Sequence, residues 1–307
     1  MAKIAIDLER ALARRQEDGT PGRTTPRILS RGDGWTVADV LCTSGPCDRP
    51  FEERHARHAI AMVLAGTFQY RSPLGRELMT PGSLMLGNTG QCFECGHQHG
   101  EGDRCISFWY APEYFERLAA DAGVRGTGAT FTVPRVPPLQ PLSPLIARAA
   151  AGVLGAPDLP WEELAVRLAV RTMRLVAGLA SERLAFPLNA EARVSRTVRT
   201  IDHHPHRPLT LGMLSRQADL SPYHFLRLFE RVTGLTPHQY VRRARLREAA
   251  ARLMSESGKV LDVALDCGFG DVSNFNRAFR AEFGASPRAF RRPLESEVAI
   301  VTETSSW

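Results

Sequence analysis

An α+β chain of two domains is expected from three observations. Short β-rich runs broken by Gly and Pro fill residues 35–110, a proline-rich passage then leads into amphipathic helices, and a helix-turn-helix unit occurs twice within residues 209–292. A length of 307 residues accommodates about two domains, and 43% hydrophobic with 23% charged residues is ordinary globular composition, which excludes fibrous and disordered classes. The predicted divisions are an N-terminal segment (1–26), a β-domain (27–133), a helical connector (134–188), an all-α double helix-turn-helix (189–292) and a C-terminal tail (293–307).

Residues 1–18 carry Ile4, Ile6, Leu8 and Leu12 among charges of both signs. They contain no long apolar run and no small-residue cleavage site, so neither a signal peptide nor a membrane anchor is expected. No stretch reaches the ~20 apolar residues of a spanning helix, and a cytoplasmic protein with reduced thiols is predicted. Residues 19–26 read as a loose connector. Strands are predicted at 35–42, 58–64, 67–71, 77–80, 83–86, 91–97 and 105–110, a spacing without helices that favours an antiparallel barrel or sandwich. A helix over 112–122 closes this region.

Pro134, Pro137, Pro138, Pro141 and Pro144 stiffen the passage into a helix over 145–153. The next helix, 161–179, sets Trp161, Leu164, Leu168, Leu175 and Leu179 on one side and Arg167, Arg171 and Arg174 on the other. Its apolar side packs either onto its own domain or against a second copy in a homodimer. Residues 185–190 are the expected domain boundary.

In the first helix-turn-helix, residues 211–218 form the leading helix, Ser221 caps the next and Pro222 occupies its first turn. Phe225, Leu228, Phe229 and Val232 point inward, and Tyr223, Arg227 and Arg231 outward. Thr236 and Pro237 open a long intervening helix that stops near Gly258. In the second unit, residues 260–267 lead, Gly268 supplies a left-handed cap and Asp271 caps the following helix. Val272, Phe275, Phe279 and Phe283 make one apolar stripe, with Ser273, Arg277 and Arg280 opposite and Asn274 on the flank. Outward arginines are usually just solvated, and phenylalanines at this spacing are core. The duplication with its caps favours instead a pair of DNA-reading helices, whose outer faces suit base edges and phosphates. Charge agrees: residues 189–292 hold 18 Lys and Arg against 10 Asp and Glu, a net +8, while the rest of the chain is −2.

Gly268, Phe269, Ser273, Phe275, Arg277, Phe279, Phe283, Gly284, Ser286, Pro287, Phe290 and Arg291 together resemble the second-motif signature of the AraC/XylS transcription regulators. The resemblance covers roughly residues 190–292. It implies a sequence-specific, non-enzymatic regulator whose two helix-turn-helix units enter adjacent major grooves of double-stranded DNA, with Tyr223, Leu226, Arg227, Ser273, Asn274 and Arg277 facing bases. Arg231 and Arg280 are the expected backbone contacts. The resemblance further implies a cupin-like antiparallel β-barrel that senses a small-molecule or metal effector, with RNA polymerase and a second copy of the chain as further candidate partners. No cofactor is required for DNA binding.

Five of six cysteines precede Tyr110. On an extended strand Cys95, His97 and His99 share a face while Cys92 points away, and a short turn at 101–103 is expected to bring Cys105 opposite His99. Two sulfurs and two imidazoles on a hairpin face suit zinc. The alternatives are a polar wall with unrelated thiols, a thiol redox sensor, and a metal-dependent cupin enzyme using His97 and His99 as an H-x-H pair. Against the enzyme, the sulfurs would close the coordination sphere. A DNA-binding protein without sequence preference explains the charge but not two capped recognition helices. Cys267 is expected to be a buried apolar residue.

Overall fold

The computed structural model describes residues 2–124, 130–155, 159–177 and 190–291. Its N-terminal half comprises α1 (Ala2–Asp18), β1 (Thr24–Gly32), β2 (Trp35–Cys42), β3 (Phe51–Arg54), β4 (His58–Gly66), β5 (Phe68–Ser72), β6 (Gly75–Met79), β7 (Leu84–Gly87), β8 (Cys92–Gly96), β9 (Asp103–Tyr110), α2 (Pro112–Asp121) and β10 (Arg135–Val136). The strands form two open antiparallel sheets, one of six strands in the order β1-β2-β9-β4-β7-β10 and one of four in the order β3-β8-β5-β6. β4, HAIAMVLAG, lies inside the larger sheet with eight of its nine residues buried, because both its faces are covered. On one side its Ile60, Met62 and Leu64 meet α1, which buries Ile4, Ala5 and Leu8. On the other, Ala61 and Val63 meet Phe68, Tyr70 and Met79 of the smaller sheet.

The connector holds α3 (Ser143–Val153) and α4 (Trp161–Ala177). Leu164, Leu168 and Met173 of α4 are buried in the β-domain's core together with Ile146 and Ala150 of α3. Of the two readings of that apolar face, packing on its own domain is therefore the one observed. Leu179 and most of the expected boundary at 185–190 lie outside the described residues.

The C-terminal half is all helix: α5 (Ala190–His203), α6 (Leu211–Gln217), α7 (Pro222–Thr233), α8 (Pro237–Ser255), α9 (Val260–Asp266), α10 (Val272–Phe283) and α11 (Pro287–Phe290). Two cores flank α8. Phe225, Phe229 and Val232 of α7 pack with Tyr240, Val241 and Ala244, and Phe275, Phe279 and Phe283 of α10 with Leu246, Ala250 and Leu253. Cys267 belongs to the second core, 1% exposed, as expected. Gly268 has φ +86°, and a Cβ there would lie 2.6 Å from the His206 carbonyl oxygen, so the turn between α9 and α10 demands glycine. No described helix is long and apolar enough to cross a membrane.

The halves meet along polar bonds. Arg135 donates to the Val232 and Thr233 carbonyls at 3.0 and 3.1 Å, at the end of α7. Gln140 donates to the Ala281 and Glu282 carbonyls at 2.8 and 3.0 Å, at the end of α10. Glu282, 5% exposed, accepts from Arg243 Nε at 3.1 Å and from the Ser143 hydroxyl. Glu191 at the start of α5 accepts from Gln69 and from Arg76, the latter at 3.2 Å.

Candidate nucleic-acid interface and inter-sheet cavity

Each recognition helix is built the same way. The Ser221 hydroxyl accepts from the His224 amide at 3.4 Å and Pro222 fills the first position of α7, while Asp271 accepts from the Ser273 and Asn274 amides at 2.9 and 3.0 Å to start α10. Both helices end on a left-handed glycine, Gly234 at φ +80° and Gly284 at φ +76°. Buried phenylalanines at i and i+4 fix the rotation of each helix, which leaves the opposite face in solvent.

On α10, Ser273, Asn274, Arg277 and Arg280 are all exposed, and Arg277 donates to Asn274 Oδ1 at 2.8 Å. That bond pre-orients the guanidinium along the helix face. Asn276, also exposed, shares this stripe three residues after Ser273 and four before Arg280. The sequence reading passed over it, although the same spacing places it. On α7, Arg227 and Arg231 are exposed and Leu226 is half-buried. Tyr223 lies in α7, with its side chain outside what is described.

The cysteine and histidine cluster departs from the expected hairpin. β8 pairs with β3 and β5, whereas β9 pairs with β2 and β4, so the two strands stand in different sheets. The cause is the glycine-rich link: Gly102 takes φ +62°, and a Cβ on Gly100 would lie 2.6 Å from the Thr67 carbonyl oxygen. The chain therefore crosses from one sheet to the other instead of turning back. His99, on this crossing and half-exposed, does not line the cavity that Cys95, His97 and Cys105 share, so the set Cys95, His97, His99 and Cys105 is not brought together. The H-x-H arrangement of His97 and His99 fails for the same reason.

Cys42 and Asp103 take the vacated places. His97 Nε2 lies 2.8 Å from Asp103 Oδ1, and the Cys105 thiol donates to Asp103 Oδ2 at 3.2 Å. Burial works against charge on His97, but the Asp103 carboxylate and Cys42 outweigh it and raise the ring to about 10. Burial, reinforced by the negative charge of Asp103, pushes the Cys105 thiol far up. The cavity, about 360 Å³, lies between the sheets and is walled by Val40, Ala61, Phe68, Phe93 and Trp109. At its other end His55 stacks on Phe93 with centroids 4.0 Å apart and approaches the Tyr70 hydroxyl at 3.0 Å, while Tyr70 donates to the Leu86 carbonyl. Since the Tyr70 proton is thus engaged, His55 is the donor, and burial holds it neutral with a pKa of about 4.

Comparison with known proteins bears on the helical half. A family model described as a helix-turn-helix domain matches residues 214–293. The regulatory protein SoxS of Salmonella typhimurium is 31% identical over 101 residues, 33% of this chain and 94% of SoxS. The HTH-type transcriptional activator RhaS of Klebsiella pneumoniae is 35% identical over 104 residues, 34% of this chain but 37% of RhaS. The transcriptional regulator Rob of Salmonella typhimurium is 34% identical over 95 residues, 31% of this chain and 33% of Rob. What is shared is about one domain's length, and nearly the whole of SoxS lies within it. Two capped helix-turn-helix units on a common strut, matched over that length, place the chain in the AraC family of DNA-binding transcription regulators.

Proposed function

We propose that the protein is a sequence-specific regulator whose α7 and α10 read successive major grooves and whose β-domain, in the role of a cupin-like sensor, receives an effector in the inter-sheet cavity. The exposed polar stripe of α10, locked in rotation by three buried phenylalanines, is the observation that carries the DNA reading. Arg277, with Asn274 and Ser273, is assigned to base edges; Tyr223, Leu226 and Arg227 take that part on α7, and Arg231 and Arg280 contact phosphates. A cavity of about 360 Å³ with largely apolar walls is of the size that takes a small organic molecule. A promoter-bound regulator of this kind acts on RNA polymerase and pairs with a second copy where operators repeat.

Footprinting on the DNA upstream of its own gene tests the proposal. Two helices one helical repeat apart, ~34 Å, should let one protomer protect on the order of 20 base pairs. Arg277→Ala should weaken the cognate site by ~1–3 kcal/mol and relax preference at one position, whereas Arg231→Ala and Arg280→Ala should lower the salt slope. Equal losses for Arg277→Ala on cognate and random DNA would remove its base-reading role. Protection confined to one major groove would refute reading by both helices.

A further inference from the structure

We propose that Cys42, His97 and Asp103 bind one zinc-like divalent cation at the floor of the inter-sheet cavity. The inference stands apart from the DNA reading, since it concerns only the β-domain.

One donor atom from each of Cys42, His97 and Asp103 lies within 4.8 Å of the other two, and all three residues are buried. Zinc bonds of ~2.0–2.3 Å hold tetrahedral ligands about 3.3–3.8 Å apart, so shifts of about 1.5 Å or less gather them. Topology prepares the site. Cys42 ends β2 and Asp103 begins β9, and the two are directly paired in the antiparallel register. His97 follows β8 and comes from the opposite sheet. An ion here would pin the two sheets together where the chain crosses between them.

The donor chemistry selects the ion. Thiolate and imidazole beside a single carboxylate suit zinc and its borderline neighbours, whereas magnesium and calcium require mostly oxygen. A buried carboxylate with an imidazole 2.8 Å from one oxygen and a thiol 3.2 Å from the other also has no apolar packing role to explain it. Binding displaces the Cys42 thiol proton, and the proton shared by His97 and Asp103, to solvent.

The test uses the full chain, purified without a histidine tag, stripped by chelator under reducing conditions and titrated with Co²⁺ and then Zn²⁺. One equivalent of Co²⁺ should give a thiolate-to-cobalt charge-transfer band that Zn²⁺ abolishes. Cys42→Ser and Asp103→Asn should lose the band, while Cys92→Ser and His99→Ala should keep it. A silent parent protein overturns the proposal, as does a band that survives Cys42→Ser or disappears in His99→Ala. Should Cys42→Ser fail to fold, alkylation of the parent protein decides. Protection of Cys42 by Zn²⁺ with unchanged labelling of the exposed Cys47 supports the site, and equal labelling of Cys42 with and without Zn²⁺ overturns it.

Discussion

Removing the Glu282 carboxylate should loosen the DNA-reading half from the rest of the chain. Glu282 sits on the inward side of α10, 5% exposed, where it accepts from Arg243 Nε at 3.1 Å and from the Ser143 hydroxyl. A hydrogen bond to a charged group contributes about 1.5–3 kcal/mol, and breaking a buried pair by deleting one partner costs about 3–5 kcal/mol. The Arg243 side chain is 15% exposed and keeps its bond to the Pro138 carbonyl, so the lower part of that range applies to Glu282→Ala, roughly 2–3 kcal/mol. At about 2–4 °C per kcal/mol this lowers Tm by about 4–12 °C. Differential scanning calorimetry measures it, and a double-mutant cycle with Arg243→Ala should return a coupling of at least about 1 kcal/mol. Glu282→Gln, which keeps an acceptor but not the charge, should fall in between. A Tm within about 1 °C of the parent for Glu282→Ala, or an additive cycle, refutes the reasoning.

Gly268→Ala forces an L side chain into φ +86° against the His206 backbone and should destabilise the second helix-turn-helix by about 1–3 kcal/mol, read as a lower urea midpoint; an unchanged midpoint contradicts the strained-turn account. Asp271→Ala strips the cap from α10 and should reduce stability by ~1 kcal/mol with faster amide exchange at Ser273 and Asn274, and protection equal to the parent's at those amides counts against it. His55 has a folded pKa of about 4 against an ordinary 6.5, so its contribution is whole above pH 6.5 and is lost as pH falls towards 4, about 3 kcal/mol in all. His55→Gln should flatten that limb of the urea-midpoint profile, and a variant that tracks the parent from pH 7 to about 4.5 contradicts the assignment.

The helical half was legible because its signals are local. Ser221, Thr236 and Asp271 cap the helices they precede, Gly234 and Gly284 end them, and Phe275, Phe279 and Phe283 are buried as their spacing requires. In the β-domain, strands with apolar runs such as β2 and β4 are readable, but β1 is not: its first residues fall in the connector expected over 19–26, and no strand is expected over the rest. Its sequence TTPRILSRG has no alternation, because it is an edge strand with hardly any buried surface. α1 passed as an unassigned segment, since Ile4 and Leu8 become meaningful only against β4. Strand parity correctly set Cys92 apart from Cys95 and His97, yet it could not reveal that the link through Gly100 and Gly102 leads into another sheet. Nor could it bring in Cys42, which reaches Asp103 only through the pairing of β2 with β9. Long-range register of this kind is absent from local pattern.

The short run from Arg135 to Gln140 holds the trailing ends of both recognition helices, Arg135 on the last carbonyls of α7 and Gln140 on those of α10. Pro137 and Pro138 lie between the two grips, so the run behaves as a stiff bar rather than a flexible tether. Its leading end is itself strand β10, hydrogen-bonded to β7 beside the inter-sheet cavity, which Met85 of β7 helps to line. A shift of β7 on occupancy of that cavity would therefore be geared to both helices at once, changing their common spacing on DNA instead of the grip of either alone.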